Sequence, residues 1–245
     1  MFSLSDEDLR YYELKVTRGP RQMTAMAEHE ELEEGFSLSV LDTGSGAKMA
    51  DKILCACGER FLQKKIFSSI FLTGKGFART DWAPEFMKQI CNRRRVFVET
   101  ALFAKGAAMK AEEYLNESDS PSFVCLCEGK LWSTVSMEVM KRDAKSELVL
   151  ASAGESWYEA RSVVEVIPDG EKEICFTITP QQEPKKKRTV KIPLEGFPDR
   201  PNKTTKIRVA VGFLDEKTMV VKLTDQGFGE LFPKTDAVVR QEVTL

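Results

Sequence analysis

The chain has 245 residues, enough for one large domain or two ordinary ones with ample core. A hydrophobic share of 42% and a charged share of 30% fit a soluble globular protein, and a net charge of −2 gives no general pull toward nucleic acid or an acidic membrane. No apolar run approaches the roughly 20 residues that span a bilayer, the N-terminus MFSLSDEDLR is acidic rather than signal-like, and six scattered cysteines do not form a dense disulfide framework, so the cytoplasm is the expected compartment.

In chain order, residues 9–17 (LRYYELKVT) are aromatic and β-branched with partial alternation and predict a strand, followed by the turn signal Arg18-Gly-Pro20. Residues 22–34 contain AMAEHEELEE, dense in helix formers and negative charge, and FSLSVL (36–41) reads as strand-like. From Met49, apolar residues recur at three- and four-residue intervals through Ile53, Leu54, Cys57, Phe61 and Leu62, which predicts a helix ending near Lys65. IFSSIFL (66–72) predicts a short strand, 82–92 a helix, RRRVFVE a second strand and Phe103–Tyr114 another helix. NESDSPS (116–122) reads as a linker. Beyond it the helical period disappears. FVCLC, STVSMEV, ELVLAS, WYEARSVVEVI, EICFTIT, TVKIPL, KIRVAVGF and MVVKLT alternate with turns, the pattern of an antiparallel β-sandwich or barrel. The expected division is an α/β part over 1–117 and an all-β part over 118–245.

Short motifs exclude more than they assign. LDTGS (41–45) carries the triplet of an aspartic protease, but that chemistry needs two carboxylates sharing a proton, and a helix follows Asp42 within a few residues. GSGAKM lacks the spacing of a Walker loop and reads as a connection between strand and helix. Cys55 and Cys57 point about 200° apart on a helix, so they do not share a metal. Cys125 and Cys127 share a strand face with nothing nearby to complete four ligands. Buried free thiols are the expectation for these cysteines. The single histidine, His29, sits in an acidic run. Lys185-Lys-Lys-Arg188 and Arg93–Arg95 read as solvated surface, although the triple arginine is placed to meet an anion.

Two segments carry more. SSIFLTGKGF (68–77) ends an apolar strand in Thr-Gly-x-Gly at the edge where an α/β sheet holds ligands. VFVETALFAKGAAMKA (96–111) leads a strand into a helix that opens Gly-Ala-Ala. In this order the pair resembles the end of the second ATPase lobe of the actin/heat-shock chaperone superfamily. RTVKIPLEGFPDRPNKTTKIRVAVGFLDEKTMVVKLTDQGFGE (188–230) is similar in order and turn chemistry to the DnaK-type peptide-binding β-sandwich. With YYELKV, ELEEGF, NRRRVF, AGESWYEAR and GFGELFP, the chain most resembles a bacterial family of DnaK-like or actin-like proteins of unknown function.

That resemblance implies an incomplete actin-like lobe followed by a chaperone-like β-sandwich. It implies that Thr73, Gly74, Gly76 and Phe77 line the adenine or ribose side of ATP or ADP, with Gly106 packing below. The chain departs from the pattern where phosphate would be held: the first lobe has no counterpart, and Ser3-Leu-Ser-Asp-Glu-Asp8 has three carboxylates and no glycine. It therefore reads as starting partway through the ATPase fold. No helical lid follows residue 230 either. Magnesium and hydrolysis would require the missing lobe, so ATPase activity is not expected of this chain alone. The alternative reading is a protein-binding or scaffold module that uses no nucleotide. There the β-sandwich meets a peptide or protein partner near Trp132, Trp157 and Tyr158.

Overall fold

The computed structural model describes residues 1–6, 8–18, 23–115 and 123–245. The expected linker 116–122, the boundary at 117/118, Gly19 and Pro20 of the first turn, and Glu7 of the acidic turn lie outside the described residues. The protein is mostly β, with 45% strand against 21% helix, and its sheets are largely antiparallel. It packs as two compact units, the first made of Met1–Leu14 and Ala27–Pro121, the second of Lys15–Met26 and Ser122–Leu245.

The first unit begins with β1 (Phe2–Ser5), which turns directly into β2 (Asp8–Arg18); β3 (Met23–Glu31) follows. A 3₁₀ turn over Leu38–Asp42 leads into α1 (Gly44–Leu62), then β4 (Ser69–Thr73), α2 (Pro84–Ile90), β5 (Arg95–Val98) and α3 (Leu102–Leu115). The strands lie in the order β5-β4-β1-β2-β3. β1 is antiparallel to β2, with Phe2 opposite Tyr11 and Leu4 opposite Leu9, and parallel to β4, which is itself parallel to β5. Period-two alternation puts Phe2, Leu4, Leu9, Tyr11, Ile70 and Leu72 on one face. Leu54, Cys57 and Phe61 of α1 and Phe86 and Ile90 of α2 close over them in one buried cluster. Aromatic contacts dominate it: Tyr11 stacks on Phe61 at 4.0 Å, and Phe2 meets Phe86 edge-on at 5.4 Å.

In the second unit β6 (Phe123–Leu126) runs parallel to the start of β3, from Met23 opposite Phe123 to Met26 opposite Leu126. Then come β7 (Ser133–Lys141), β8 (Ala144–Ala151), β9 (Ser162–Val166), β10 (Glu173–Pro180), β11 (Arg188–Pro193), β12 (Lys206–Asp215), β13 (Thr218–Gly227) and β14 (Val238–Thr244). They form two four-stranded antiparallel sheets, β11-β10-β7-β8 and β14-β13-β12-β9. Val135, Phe176 and Ile178 of one sheet and Val209, Met219, Val221 and Leu223 of the other share a single core, the layering of a β-sandwich.

Several local expectations are corrected. The helix-forming run at 22–34 holds a strand, β3, because its backbone groups find partners on β6 as well as beside β2, and such pairing outweighs weak helix propensity. FSLSVL is no strand; its last four residues lie in the 3₁₀ turn Leu38–Asp42. GSGAK is not a loop: Thr43 caps α1, its Oγ1 accepting the Gly46 N–H at 3.1 Å, and the helix starts at Gly44. The segment from Trp157 is strand only over Ser162–Val166. MFSLS and VVRQEVT, unassigned from sequence, form β1 and β14.

Candidate functional site

A concavity on the second unit is built from a conflict in the β13 pattern. Met219, Val221 and Leu223 face the core, and the next position of that alternation is Asp225, 1% exposed. A carboxylate there is tolerable only if every lone pair is used. Arg200 supplies a bidentate pair, donating to Oδ1 at 2.9 Å and Oδ2 at 2.8 Å. The Gly227 N–H donates to Oδ1 at 2.9 Å, and the Thr235 N–H and hydroxyl donate to Oδ2 at 2.9 and 2.8 Å. Burial alone would raise this carboxyl's pKa. The Arg200 guanidinium and the other donors overcome that and hold it well below the usual carboxylate range.

The anchored carboxylate shapes the loop that follows. Arg200 also donates to the Pro233 carbonyl at 2.7 Å, and the Phe228 N–H donates to the Phe232 carbonyl at 2.7 Å, which closes residues 228–232 into a tight loop. Gly227 has φ +67, and a Cβ there would lie 2.4 Å from the Phe232 carbonyl oxygen, so only glycine fits. The loop walls a groove of about 670 Å³ with Thr204 and Lys206 on its other side. Phe228 and Leu231 stand beside it 41% and 88% exposed. Lys206 and Glu230 give the rim charges of both signs. The lining combines the apolar side chains of Phe228, Leu231 and Phe232 with the polar ones of Thr204, Lys206, Gln226 and Glu230.

The residues singled out from sequence sit elsewhere. Thr73 is buried at the end of β4, its hydroxyl donating to the Thr100 carbonyl at 3.4 Å. Gly74 has φ +90, and a Cβ there would fall 2.3 Å from the Leu4 carbonyl oxygen; at Gly76 it would strike the Leu4 side chain at 2.5 Å. Phe77 is inside the core, 6.2 Å from the ring of Trp82. These residues thus pack onto β1, which accounts for both glycines. Gly106 lies on exposed α3, where an added Cβ would meet nothing within 4 Å, so it packs below no site. Trp132 is half-buried against Val124, Leu126 and Ala153, and Trp157 against the sandwich core, while Tyr158 is largely exposed, edge-on to Trp157 at 5.7 Å. None of the three lines the groove.

The thiols also divide. All six cysteines are free. Of the two C-x-C pairs expected to be buried, Cys57 is buried, with burial pushing its thiol up to about 11, Cys55 and Cys127 are half-buried, and Cys125 is exposed, against that expectation; Cys91 and Cys175 are exposed as well. His29 lies on β3, its ring 5.7 Å from that of Tyr12.

Residues 1–128 match the family model described as "Family of unknown function (DUF5716) C-terminal", which is 128 of the 245 residues and more than half of the chain. The chain belongs to this family. The DUF5716 match ends just after β6, and residues 130–245, which hold both sheets of the sandwich, match a second model, "Domain of unknown function (DUF8552)". No curated protein matches the chain. The family assignment overturns the resemblance to the actin/heat-shock chaperone superfamily and to DnaK, since no actin or heat-shock family is among the matches. What the resemblance rested on, a strand ending Thr-Gly-x-Gly and a helix opening Gly-Ala-Ala, is met in this DUF5716 chain by a packing turn and an exposed helix.

Proposed function

We propose that the chain is a protein-binding module that works without nucleotide, and that the loop between β13 and β14 recognises an apolar segment of a peptide or protein partner. The observation that carries this reading is the fixed presentation of Phe228 and Leu231 beside an open groove, on a loop held from below by the Asp225–Arg200 pair. A pre-organised loop loses little entropy on binding, and exposed apolar side chains on such a loop gain most from a partner. The mixed rim charges favour a partner with a polar or oppositely charged flank rather than a uniformly charged one. Six free thiols support a reducing compartment such as the cytoplasm.

The test is a peptide array probed with the labelled chain and with Leu231→Asp. Peptides with an apolar centre are expected to retain the chain, and Leu231→Asp is expected to weaken retention by about 30-fold, the scale of a binding hot spot. Retention equal in both proteins, or no retained peptide, would exclude this surface. Calorimetry with ATP or ADP in the presence of magnesium is expected to be flat; a micromolar isotherm would return nucleotide to consideration.

A further inference from the structure

The first unit carries a strand edge whose chemistry fits a second copy of itself. β5 is the outermost strand of its sheet, with β4 as its neighbour on one side and no strand on the other among the described residues. The Glu99 N–H donates to the Leu72 carbonyl at 2.9 Å, so Glu99, Phe97 and Arg95 direct their main-chain groups toward β4. Because those groups alternate along a strand, the N–H and C=O of Val96 and Val98 point outward. Side chains follow the same alternation. Val96 packs against the core, yet Val98, on the same face, is 47% exposed, as if a neighbour were missing. Phe97, on the opposite face, stacks on Phe71 at 5.1 Å and is still 44% exposed.

The residues on this edge read Arg95-Val-Phe-Val-Glu99. Reversed, the order is the same except that the charges at the two ends are exchanged. We propose that the chain forms a two-fold dimer in which β5 pairs antiparallel with β5 of a second copy, centred on Phe97. In that register Val96 of one copy and Val98 of the other are the hydrogen-bonded pairs, which matches the outward direction of their main-chain groups. Phe97 then faces Phe97 in the non-hydrogen-bonded position, where side chains approach most closely. Arg95 faces Glu99 at both ends. Val96 of the second copy covers the bare side of Val98. A parallel register would set Arg95 against Arg95, and a slip by one residue would put valines opposite phenylalanine on the wrong faces. Charges of one sign usually protect an edge strand from self-association; here the sign changes along the strand, so the edge is complementary to its own reverse. Glu99 already accepts the Ala101 N–H at 3.2 Å and a hydrogen bond from Lys105, which fixes it in place for a second cation.

Sedimentation velocity of the full chain, from about 1 to about 100 µM, tests the dimer over the affinity range of a modest interface. The expected result is a shift from the 27.6 kDa monomer to twice that mass. Arg95→Glu and Val96→Pro are each expected to sediment as monomers, the second because it removes an outward N–H and leaves the β4 ladder intact. An equimolar mixture of Arg95→Glu with Glu99→Lys is expected to re-form a dimer that neither variant forms alone. Phe97→Cys is expected to yield an oxidised peptide joined through residue 97 of both copies. A monomer at the highest concentration, a dimer that survives both Arg95→Glu and Val96→Pro, or the absence of the 97–97 link overturns the proposal.

Discussion

Asp225 is the residue on which most of the second unit's surface depends. Replacing it with asparagine keeps the shape but leaves Arg200 buried beside a neutral group, which costs about 3–5 kcal/mol by analogy with broken buried ion pairs. Urea unfolding followed by circular dichroism would measure that loss. Its pH dependence has a definite sign. The folded-state pKa lies below the unfolded value, so the contribution is complete above about pH 4, where the unfolded carboxyl is ionised. It is lost progressively as pH falls below that value, and this part of the acid slope should be absent in Asp225→Asn. Glycines make a second contrast at this scale. Gly74→Ala forces a side chain into φ +90 against the Leu4 carbonyl and should destabilise by about 1–3 kcal/mol. Gly106→Ala, in an exposed helix with open space around it, should stabilise by about 0.5–1 kcal/mol. The sequence shows two glycines in helix-and-turn contexts; only their surroundings separate a required one from a dispensable one.

Among the elements, α2 has an unusual start. Its N-cap, Ala83, has no side chain able to accept a hydrogen bond. Asp51 of α1 takes that role instead, accepting the Glu85 N–H at 3.0 Å and the Phe86 N–H at 2.9 Å. Asp51→Ala should therefore orphan two N–H groups and cost about 1–3 kcal/mol, read as a lower midpoint in thermal unfolding. This cap was not legible in the sequence, because its partners are 34 and 35 residues away. The elements that were legible had a local signal strong enough to stand alone: the three- and four-residue spacing of α1, and the β-branched runs of β10, β12 and β13. β3 was not, since its glutamates and alanines favour helix and only its neighbours decide otherwise. The groove was half legible. Asp225 breaks an apolar alternation in plain view, and Gly227 and Gly229 follow it, but Arg200 is far away in the sequence. Thiol chemistry separates elements as well. Iodoacetamide on the native protein should label Cys91, Cys125 and Cys175 and spare Cys57 in α1 until denaturant is added.

Across the whole molecule, the bias toward strand is what the sequence understated. The first unit had been expected to be an α/β lobe holding a ligand at the ends of its strands. It has such a sheet, but the turn after β4 is filled by Leu4, Gly74 and Phe77 packing on one another. The family that matches residues 1–128 is described as one of unknown function, and no actin or heat-shock family is among the matches. If β5 pairs as proposed, the first unit's sheet continues through the two-fold axis into a second copy.

The pairing of β3 with β6 has a practical outcome for anyone dividing the gene. Residues 23–26 and 123–126 make one parallel ribbon, and Gln181 reaches Thr24 with a hydrogen bond of 3.2 Å. A clone beginning at residue 130, where the second family match starts, would discard that ribbon and remove Val124 and Leu126 from the cluster on which Trp132 packs. Such a product should emit indole fluorescence at longer wavelength than the intact chain and tend to precipitate. Re-joining the missing ribbon by a short tether should reverse both effects.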